Sequence, residues 1–259
     1  MVSSKASNAL PQFARDGKRI AFESERSGYD EVWATNTDGS GVVQLTSLAG
    51  YAGTPHWAPD DQSVVFDFRA RRNSEIYVVS VPPSSPRLVP TFADADSVVP
   101  SWSLDGQSIY FSSKGGRKDF QVWKVAVKGG APVQITSHGG YAAVESPDGF
   151  LYYSKGLDEP VIWRVPVGGG QETLVLDPPG LANYANWAPG RGGIYFLDAK
   201  TYPHNTIVFF NFATHKFSPV WTLEKELYIG LAVSADRKSI IYSQNDQDEY
   251  NIRIVKNFR

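Results

Sequence analysis

The chain has 259 residues, a formal net charge of −2 and no cysteine. These values exclude disulfides and thiolate metal sites, and they give no overall attraction to nucleic acid or to an anionic membrane. Aromatic residues make up 13% of the chain, and there are 23 glycines and 17 prolines, which is typical of many short strands joined by tight turns.

Residues 1–5 lack the apolar segment of a secretory signal. No apolar run reaches the roughly 18 residues of a membrane span. We therefore expect a soluble protein with no membrane insertion, in a compartment that the sequence leaves open.

An Asp–Gly turn recurs along the whole chain at intervals of about 42 to 46 residues. The turns, or the pairs that replace them, start at Asp16, Asp60, Asp105, Asp148, Gly190 and Asp236. Each follows a short apolar element and precedes a β run, a polar loop, a third strand and, in most units, a hairpin turn and a fourth strand. A period of this length is typical of one four-stranded propeller blade. The sequence therefore predicts an all-β fold, a six-bladed β-propeller of antiparallel blades.

Divided at these turns, one domain over residues 1–259 contains units at 11–54, 55–99, 100–143, 144–185, 186–229 and 230–259. The sixth unit ends after its third strand. Because an uncovered sheet edge favours aggregation, we expect a segment within residues 1–10 to complete the last blade and close the ring. The alternative is a three-stranded sixth blade beside a frayed N-terminal tail.

The best copies of the unit read Pro-Gln-Phe-Ala-Arg-Asp-Gly from Pro11 and Pro-Ser-Trp-Ser-Leu-Asp-Gly from Pro100. Unit 1 continues with Glu-Val-Trp from Glu31, Asp-Gly-Ser from Asp38 and Leu-Thr from Leu45. Over all six units, this wording resembles the TolB-type, WD-like propeller repeat.

The second half of the chain is similar to a narrower group, the C-terminal propellers of bacterial winged-helix regulators and serine/threonine kinases. Gly-Tyr-Ala-Ala-Val-Glu from Gly140 and Ile-Trp-Arg-Val from Ile162 carry this similarity. It implies a sensor or binding domain, in the periplasm or the cytoplasm of a bacterium. The repeat departs from its pattern at Glu145 and Val233, which stand where other units have Trp or Phe.

The sequence contains no nucleophile elbow, zinc helix, P-loop or dinucleotide-binding glycine motif. We therefore predict no catalytic residue, no metal and no cofactor. His56 and His138 fall near inner-strand entrances and stay binding candidates, although a histidine in such a chain is usually ordinary polar surface. The acidic pair Asp94 and Asp96 lacks the glycine spacing of a calcium loop, so we interpret it as a solvated turn.

The loops between second and third strands differ in charge around the ring. Units 1 to 3 carry the basic residues Arg26, Arg69, Arg71, Arg72, Lys114, Arg117 and Lys118. Units 4 and 6 carry the acidic residues Asp158, Glu159, Asp246, Asp248 and Glu249. This pattern predicts a face with a basic half and an acidic half, which would orient a charged partner. The alternative is that loops are charged because they are wet.

The connections between blades place an aromatic residue shortly before each inner strand. These residues are Tyr51, Phe92, Tyr141, Tyr184 and Tyr228. They either ring the mouth of the channel as a recognition surface or wedge between blades as core. Glu145 is a further binding candidate, because a lone carboxylate at a core position is costly and is expected to turn toward the wet channel.

Three functional hypotheses remain open. The first is a non-catalytic, monomeric module that binds a protein or peptide through its loop face and channel, with no role for nucleic acid. The second is a channel hydrolase or lyase acting on a peptide or oligosaccharide. The third is a structural scaffold domain of a larger regulator. Fold resemblance does not decide among them.

Overall fold

A computed structural model describes residues 6–70, 72–159, 161–178, 180–181, 183–200, 205–246 and 250–258. Within these residues the regular structure is β-strand, arranged in six antiparallel sheets. Each sheet is a meander in which neighbouring strands in the sequence pair with each other. The predicted six-bladed β-propeller is confirmed.

Blade 1 contains β1 (Asn8–Phe13), β2 (Arg19–Ser24), β3 (Glu31–Asn36) and β4 (Val43–Gln44). Blade 2 contains β5 (Tyr51–Trp57), β6 (Ser63–Arg69), β7 (Glu75–Ser80) and β8 (Arg87–Val89). Blade 3 contains β9 (Ser97–Trp102), β10 (Ser108–Ser113), β11 (Gln121–Ala126) and β12 (Val133–Gln134). Blade 4 contains β13 (Tyr141–Glu145), β14 (Phe150–Ser154), β15 (Ile162–Pro166) and β16 (Thr173–Leu176). Blade 5 contains β17 (Trp187–Gly190), β18 (Gly193–Asp198), β19 (Thr206–Asn211) and β20 (Lys216–Thr222). Blade 6 contains β21 (Leu227–Val233), β22 (Ser239–Asn245) and β23 (Tyr250–Lys256).

The Asp–Gly turns join the first and second strands of the blades. In blade 1 the Gly17 amide donates to the Ala14 carbonyl at 3.0 Å, and Gly17 has a positive φ of 68°. The Asp16 carboxylate accepts from the Lys18 amide at 2.8 Å. The repeated aspartate therefore accepts a hydrogen bond from a backbone amide of its own turn, as expected of a structural residue rather than a metal ligand.

Apolar side chains from the two faces of each sheet pack against the neighbouring blades. Ala21 and Val32 of blade 1 share one buried cluster with Trp57 and Phe66 of blade 2. Across the closure of the ring, Phe22 belongs to the same buried cluster as Ile241 of blade 6. Each blade thus removes apolar surface of both neighbours from water, which is why no blade is stable by itself.

The last blade has three strands within the described residues. The Asn8 side chain donates to the Tyr250 carbonyl at 2.9 Å, so the start of β1 lies beside β23. Residues 1–5, which make up most of the segment expected to complete this blade, lie outside the described residues. Closure by that segment stays a prediction.

A β-bulge with one residue at positive φ interrupts five of the inner strands. The residues at positive φ are Leu10, Thr54, Val99, Ala142 and Gly230. A bulge removes a peptide group from its own ladder, so its amide needs another acceptor. Ala142 donates its amide to the Ser112 hydroxyl of the preceding blade at 3.1 Å.

Gly230 lies where blades 1 and 6 approach each other closely, so a substitution here tests that contact. It has a φ of 104°, and a Cβ at this position would lie 2.7 Å from the Leu10 Cα atom. We expect Gly230→Ala to lower the free energy of unfolding by about 3 kcal/mol or more, because backbone strain adds to a clash with main chain. Urea denaturation measures this effect.

The matched control is Gly28→Ala, at a φ of 95° with no atom within 4 Å of the added methyl group. It should cost about 1 kcal/mol, the price of the backbone conformation alone. Equal losses in the two variants would show that the contact between blades 6 and 1 is not tight.

Candidate functional site at the two ends of the channel

The inner strands run from a loop end to a turn end of the central channel. In β5, Tyr51 stands at the loop end and Trp57 at the turn end. Seven extended residues separate these ends by about 20 Å. The residues that sequence reasoning grouped together are therefore divided between two places.

A cavity of about 690 Å³ opens at the turn end, and we call it the turn-end funnel. Its lining includes Phe13, Trp57, Trp102, Glu145, Trp187 and Val233, one from the same repeat position in each blade. The three tryptophans are almost fully buried because they also pack between blades. The repeat itself therefore builds an aromatic wall around the channel.

Glu145 lies in this funnel, as its place in the repeat predicted. It is half-buried at the end of β13, and it accepts a hydrogen bond from the Tyr110 hydroxyl at 2.9 Å. Burial, with the nearby Glu145 carboxylate, raises the pKa of Tyr110, so this phenol stays a neutral donor. The carboxylate is thus partnered without a positive charge.

His56 also lines the funnel, on the inner strand β5 rather than in a loop. Its Nδ1 atom lies 3.2 Å from the Trp57 carbonyl. Burial lowers the pKa of His56 to about 4, so the ring is neutral near pH 7. No hydrogen bond joins His56 to Glu145, and the geometry forms no acid–base dyad from these two groups.

The rim of the funnel carries the exposed cations Arg15, Arg191 and Arg237 and the exposed anion Asp148. None of the three arginines forms a salt bridge with another described residue. The carboxylate of Asp148 accepts from the Tyr152 hydroxyl at 2.6 Å. The turn end is therefore an aromatic cavity whose lining carries three exposed arginines together with the carboxylates of Asp148 and Glu145.

The loop end brings together the four predicted tyrosines. Tyr141 and Tyr184 meet edge to face with ring centroids 4.9 Å apart. Tyr51 and Tyr228 are each 43% exposed, and Tyr228 stacks on Tyr250 at 3.7 Å. Burial first, and nearby carboxylates second, raise the pKa of Tyr51. The fifth aromatic, Phe92, is core instead, packed on Trp123 at 4.8 Å.

Two carboxylates at this end were missed by the sequence analysis. Burial, together with nearby Asp30 and Asp67, raises the pKa of Glu23 to about 8. Burial likewise raises the pKa of Asp67 to about 6. Both residues follow an aromatic residue in the second strand, at a repeat position that is Ser112 in unit 3. Aligning that position across units would have revealed them, because a polar residue inside a buried strand needs a reason.

Both carboxylates face a bulge of the next blade. The backbone at Thr54 favours the ionised form of Glu23, and the backbone at Val99 favours that of Asp67. The Thr54 hydroxyl also donates to the Asp67 carboxylate. The acid–tyrosine mouth, as we name it, consists of Glu23, Asp30, Asp67, Tyr51, Tyr184 and Tyr228. It lies among blades 1, 2, 5 and 6, toward the axis of the ring.

The predicted basic half of the rim is only partly free. Arg69 pairs with Asp96 at 2.9 Å, and Arg117 donates to the Gln134 side chain at 3.1 Å. Arg72 and Lys118 are exposed. Arg117 and Lys118 line a second cavity of about 530 Å³ beside β12. Arg71 lies outside the described residues.

Two of the remaining charged candidates, Arg26 and Asp246, have partners within the protein. Arg26 donates to the Asn8 side chain at 2.6 Å and covers the rings of Phe22 and Trp33. On the acidic side, Asp246 binds Lys225 and Arg253. Asp158 and Glu159 are exposed, whereas Asp248 and Glu249 lie outside the described residues. The expected division of the rim into two charged halves is therefore weakened where these residues are paired, and it stays a prediction for the exposed ones.

His138 lies away from the funnel lining, exposed, with its Nδ1 atom 3.4 Å from Glu172. In the described part of the chain, no three histidine or acidic side chains are grouped so as to hold a metal ion. No helix there has the length and apolar character needed to cross a bilayer.

The raised pKa of Glu23 predicts how stability depends on pH. Between its ordinary value of 4.5 and about 8, the folded state binds more protons than the unfolded state, so stability falls as pH rises. Asp67 adds to this slope only up to about pH 6. In Glu23→Gln the decline between pH 6 and 8 should shrink by about 1 kcal/mol or more, as urea titrations at each pH measure. Glu159→Gln, at an exposed carboxylate of blade 4, is the control; an identical effect there would refute the prediction.

Comparison with known proteins places this geometry among other propellers. No family model matches the chain. A TolB homolog of Chlorobium luteolum is 25% identical over 159 residues, which is 60% of this chain and 36% of that protein. TolB from Acinetobacter baumannii superposes with a TM-score of 0.76 at 16% identity, over 95% of this chain and 63% of that chain.

Enzymes with this architecture superpose as well. An oligogalacturonate lyase from Vibrio parahaemolyticus gives a TM-score of 0.63 at 12% identity, over 98% of this chain and 77% of that chain. The chain thus spans just over a third of the curated TolB homolog and under two thirds of the Acinetobacter TolB chain. Together with the six blades and their repeat, these likenesses show that the chain folds as a β-propeller similar to that of TolB.

Proposed function

We propose that this propeller is a non-catalytic binding module that holds a peptide segment of a protein partner in its turn-end funnel. The observation that carries this proposal is the cavity of about 690 Å³ with an aromatic wall and unpaired arginines at its rim. Ligand sites are typically concave, mostly apolar and furnished with a few polar groups, with volumes of about 300 to 1,000 Å³.

The side chains of the funnel are of the kinds that dominate binding energy in protein interfaces. Arginine is enriched at hot spots, whereas the tryptophans, which already lie almost fully buried between blades, contribute only their exposed edges to the wall. Arg15, Arg191 and Arg237 come from blades 1, 5 and 6, so they surround part of the opening. Because no described carboxylate pairs with them, an acidic segment of a partner would supply their counter-charge.

The chemistry of the funnel supports binding over turnover. A hydrolase needs a nucleophile or an activated water beside a base within hydrogen-bond reach. His56 is neutral and contacts only backbone among its described hydrogen bonds, and Glu145 is held by Tyr110. The proposed partner is a protein or peptide rather than nucleic acid, in keeping with the net charge of −2.

Peptides selected from a random display library against the protein test this proposal. We expect them to be acidic and to lose about tenfold or more in affinity for the variant Arg15→Glu/Arg191→Glu/Arg237→Glu, since each reversal replaces an attraction by a repulsion. The matched control is Arg72→Glu/Arg117→Glu/Lys118→Glu, which makes the same change in charge at the loop end. Affinities are measured by titration calorimetry at two salt concentrations.

If the control triple variant alone loses the peptides, the binding site is the basic loop rim and not the funnel. If selection yields no peptide that binds the wild type, the proposal of a peptide-binding module fails. A circular dichroism spectrum and melting curve for each variant separate lost affinity from lost folding.

A lyase or hydrolase is the second candidate, favoured by one observation: Glu145 and the Tyr110 hydroxyl form a carboxylate–phenol pair in the funnel. Eliminative cleavage of an oligogalacturonide leaves an unsaturated sugar that absorbs in the ultraviolet. We expect no such product from the wild-type protein, and we expect Glu145→Gln to leave peptide affinity within about twofold, because the carboxylate is already satisfied by Tyr110. Product that forms with the wild type and disappears in Glu145→Gln would instead establish the enzyme.

A further inference from the structure

We propose that the acid–tyrosine mouth at the loop end binds a primary alkylammonium group, such as the end of a lysine side chain. This site is separate from the turn-end funnel and takes a ligand group of the opposite charge. Its occupant lies against exposed tyrosine faces and beside carboxylates that form no salt bridge with a described cation.

The first support is an unsatisfied carboxylate oxygen. The Glu23 carboxyl group faces the Thr54 bulge, and its buried Oε2 atom has no hydrogen-bond partner among the described residues. A buried polar atom without a partner is costly, so an arriving donor gains the bond and removes the cost. An alkylammonium group brings three such donors.

The second support is the position of that oxygen. A Cβ atom built on Gly53 would collide with Glu23 Oε2 and would lie 3.2 Å from the Tyr51 ring. The carboxylate oxygen and the edge of the ring therefore flank the same bare stretch of β5. Glycine is needed here for space, since any side chain would displace the carboxylate.

The third support is uncompensated negative charge. Asp30 and Asp67 both raise the pKa of Glu23, with exposed Glu25 contributing less, and neither Glu23 nor Asp30 forms a salt bridge with a described cation. The neighbouring cations are engaged elsewhere: Arg69 by Asp96, and Arg26 by Asn8. Like charges brought together without a counter-ion favour the binding of a cation.

The fourth support is the aromatic surface. Tyr51 and Tyr228 are each 43% exposed. The nearby Glu23 carboxylate contributes to a raised pKa of both phenols and of the partly buried Tyr184. Cations are attracted to the faces of tyrosine rings, and the attraction grows when the site is partly dehydrated. A bare metal ion fits less well, because in the described residues no three acidic or histidine side chains gather as ligands.

Titration of n-butylammonium chloride into isotope-labelled protein, followed by amide NMR, tests the site directly. We expect saturable shifts at the Gly53 and Thr54 amides, with n-butanol and calcium chloride as controls that leave these signals unchanged. A short acetylated peptide with one lysine should shift the same amides, whereas a peptide with norleucine in its place should not. Equal shifts from butanol or from calcium would overturn the proposal.

Substitutions test whether the Glu23 carboxylate and the Tyr228 ring bind the ammonium group. Glu23→Gln and Tyr228→Leu should each weaken binding about tenfold or more, through loss of charge and of the ring face respectively. Asp119→Asn, an exposed carboxylate of blade 3, should leave the affinity unchanged. Normal amide spectra away from the mouth show that each variant is folded, and unchanged affinity in both mouth variants refutes the proposal.

The pH dependence of butylammonium affinity distinguishes direct binding by Glu23 from a purely structural role of this residue. Glu23 faces Glu25, Asp30, Asp67 and the three tyrosines of the mouth, with Arg69 near Asp67 as the opposing cation. Because ammonium binds the ionised carboxylate, affinity should rise from about pH 6 to about pH 9 with release of protons. Glu23→Gln should remove this rise. The arginine triple variant of the funnel should bind butylammonium normally, so the two proposals can fail independently.

Discussion

A bulge in an inner strand leaves an amide that its own ladder cannot satisfy, and in blades 4 and 6 the preceding blade supplies the acceptor. The amide of Ala142 donates to the Ser112 hydroxyl and that of Gly230 to the Asn186 side chain, whereas the bulges at Thr54 and Val99 face the carboxylates of Glu23 and Asp67. A hydroxyl does this without charge. Carboxylates facing a bulge bury charge, which is why their pKa values rise. The contact that joins the blades therefore also puts acidic groups at the loop end of the channel.

A second repeat position both packs between blades and lines the turn end of the channel. The tryptophans before the Asp–Gly turns bury their area between blades, and their edges form the wall of the funnel. Where the repeat breaks, at Glu145, the wall gains a carboxylate that Tyr110 holds by a hydrogen bond. Arginines thus lie at the rim of the funnel beside Asp148, whereas acids gather among the tyrosines. In our two proposals, the ring binds groups of opposite charge at ends about 20 Å apart.

Charged loops were a poorer guide than the repeat, for a physical reason. A long side chain in a loop bends toward the nearest partner, so its sequence position does not reveal whether its charge is free. Arg26 turns onto Phe22 and Trp33, and Asp246 is neutralised by Lys225 and Arg253. Tyrosines in the connections between blades were a better guide, because short connections to rigid strands leave their rings little freedom.

The sequence by itself determined the six blades, the Asp–Gly turns and the ring of aromatic residues, because each is written once per repeat and is enforced by local turn chemistry and alternation along strands. It also placed Glu145 in the channel. Only the tertiary structure decided that Tyr51 and Glu145 lie at opposite ends, that Phe92 is core, and that Glu23 and Asp67 meet at the mouth. Those facts depend on how neighbouring blades stack and where each bulge turns its amide. Such contacts join residues about one repeat apart, and no local pattern specifies them.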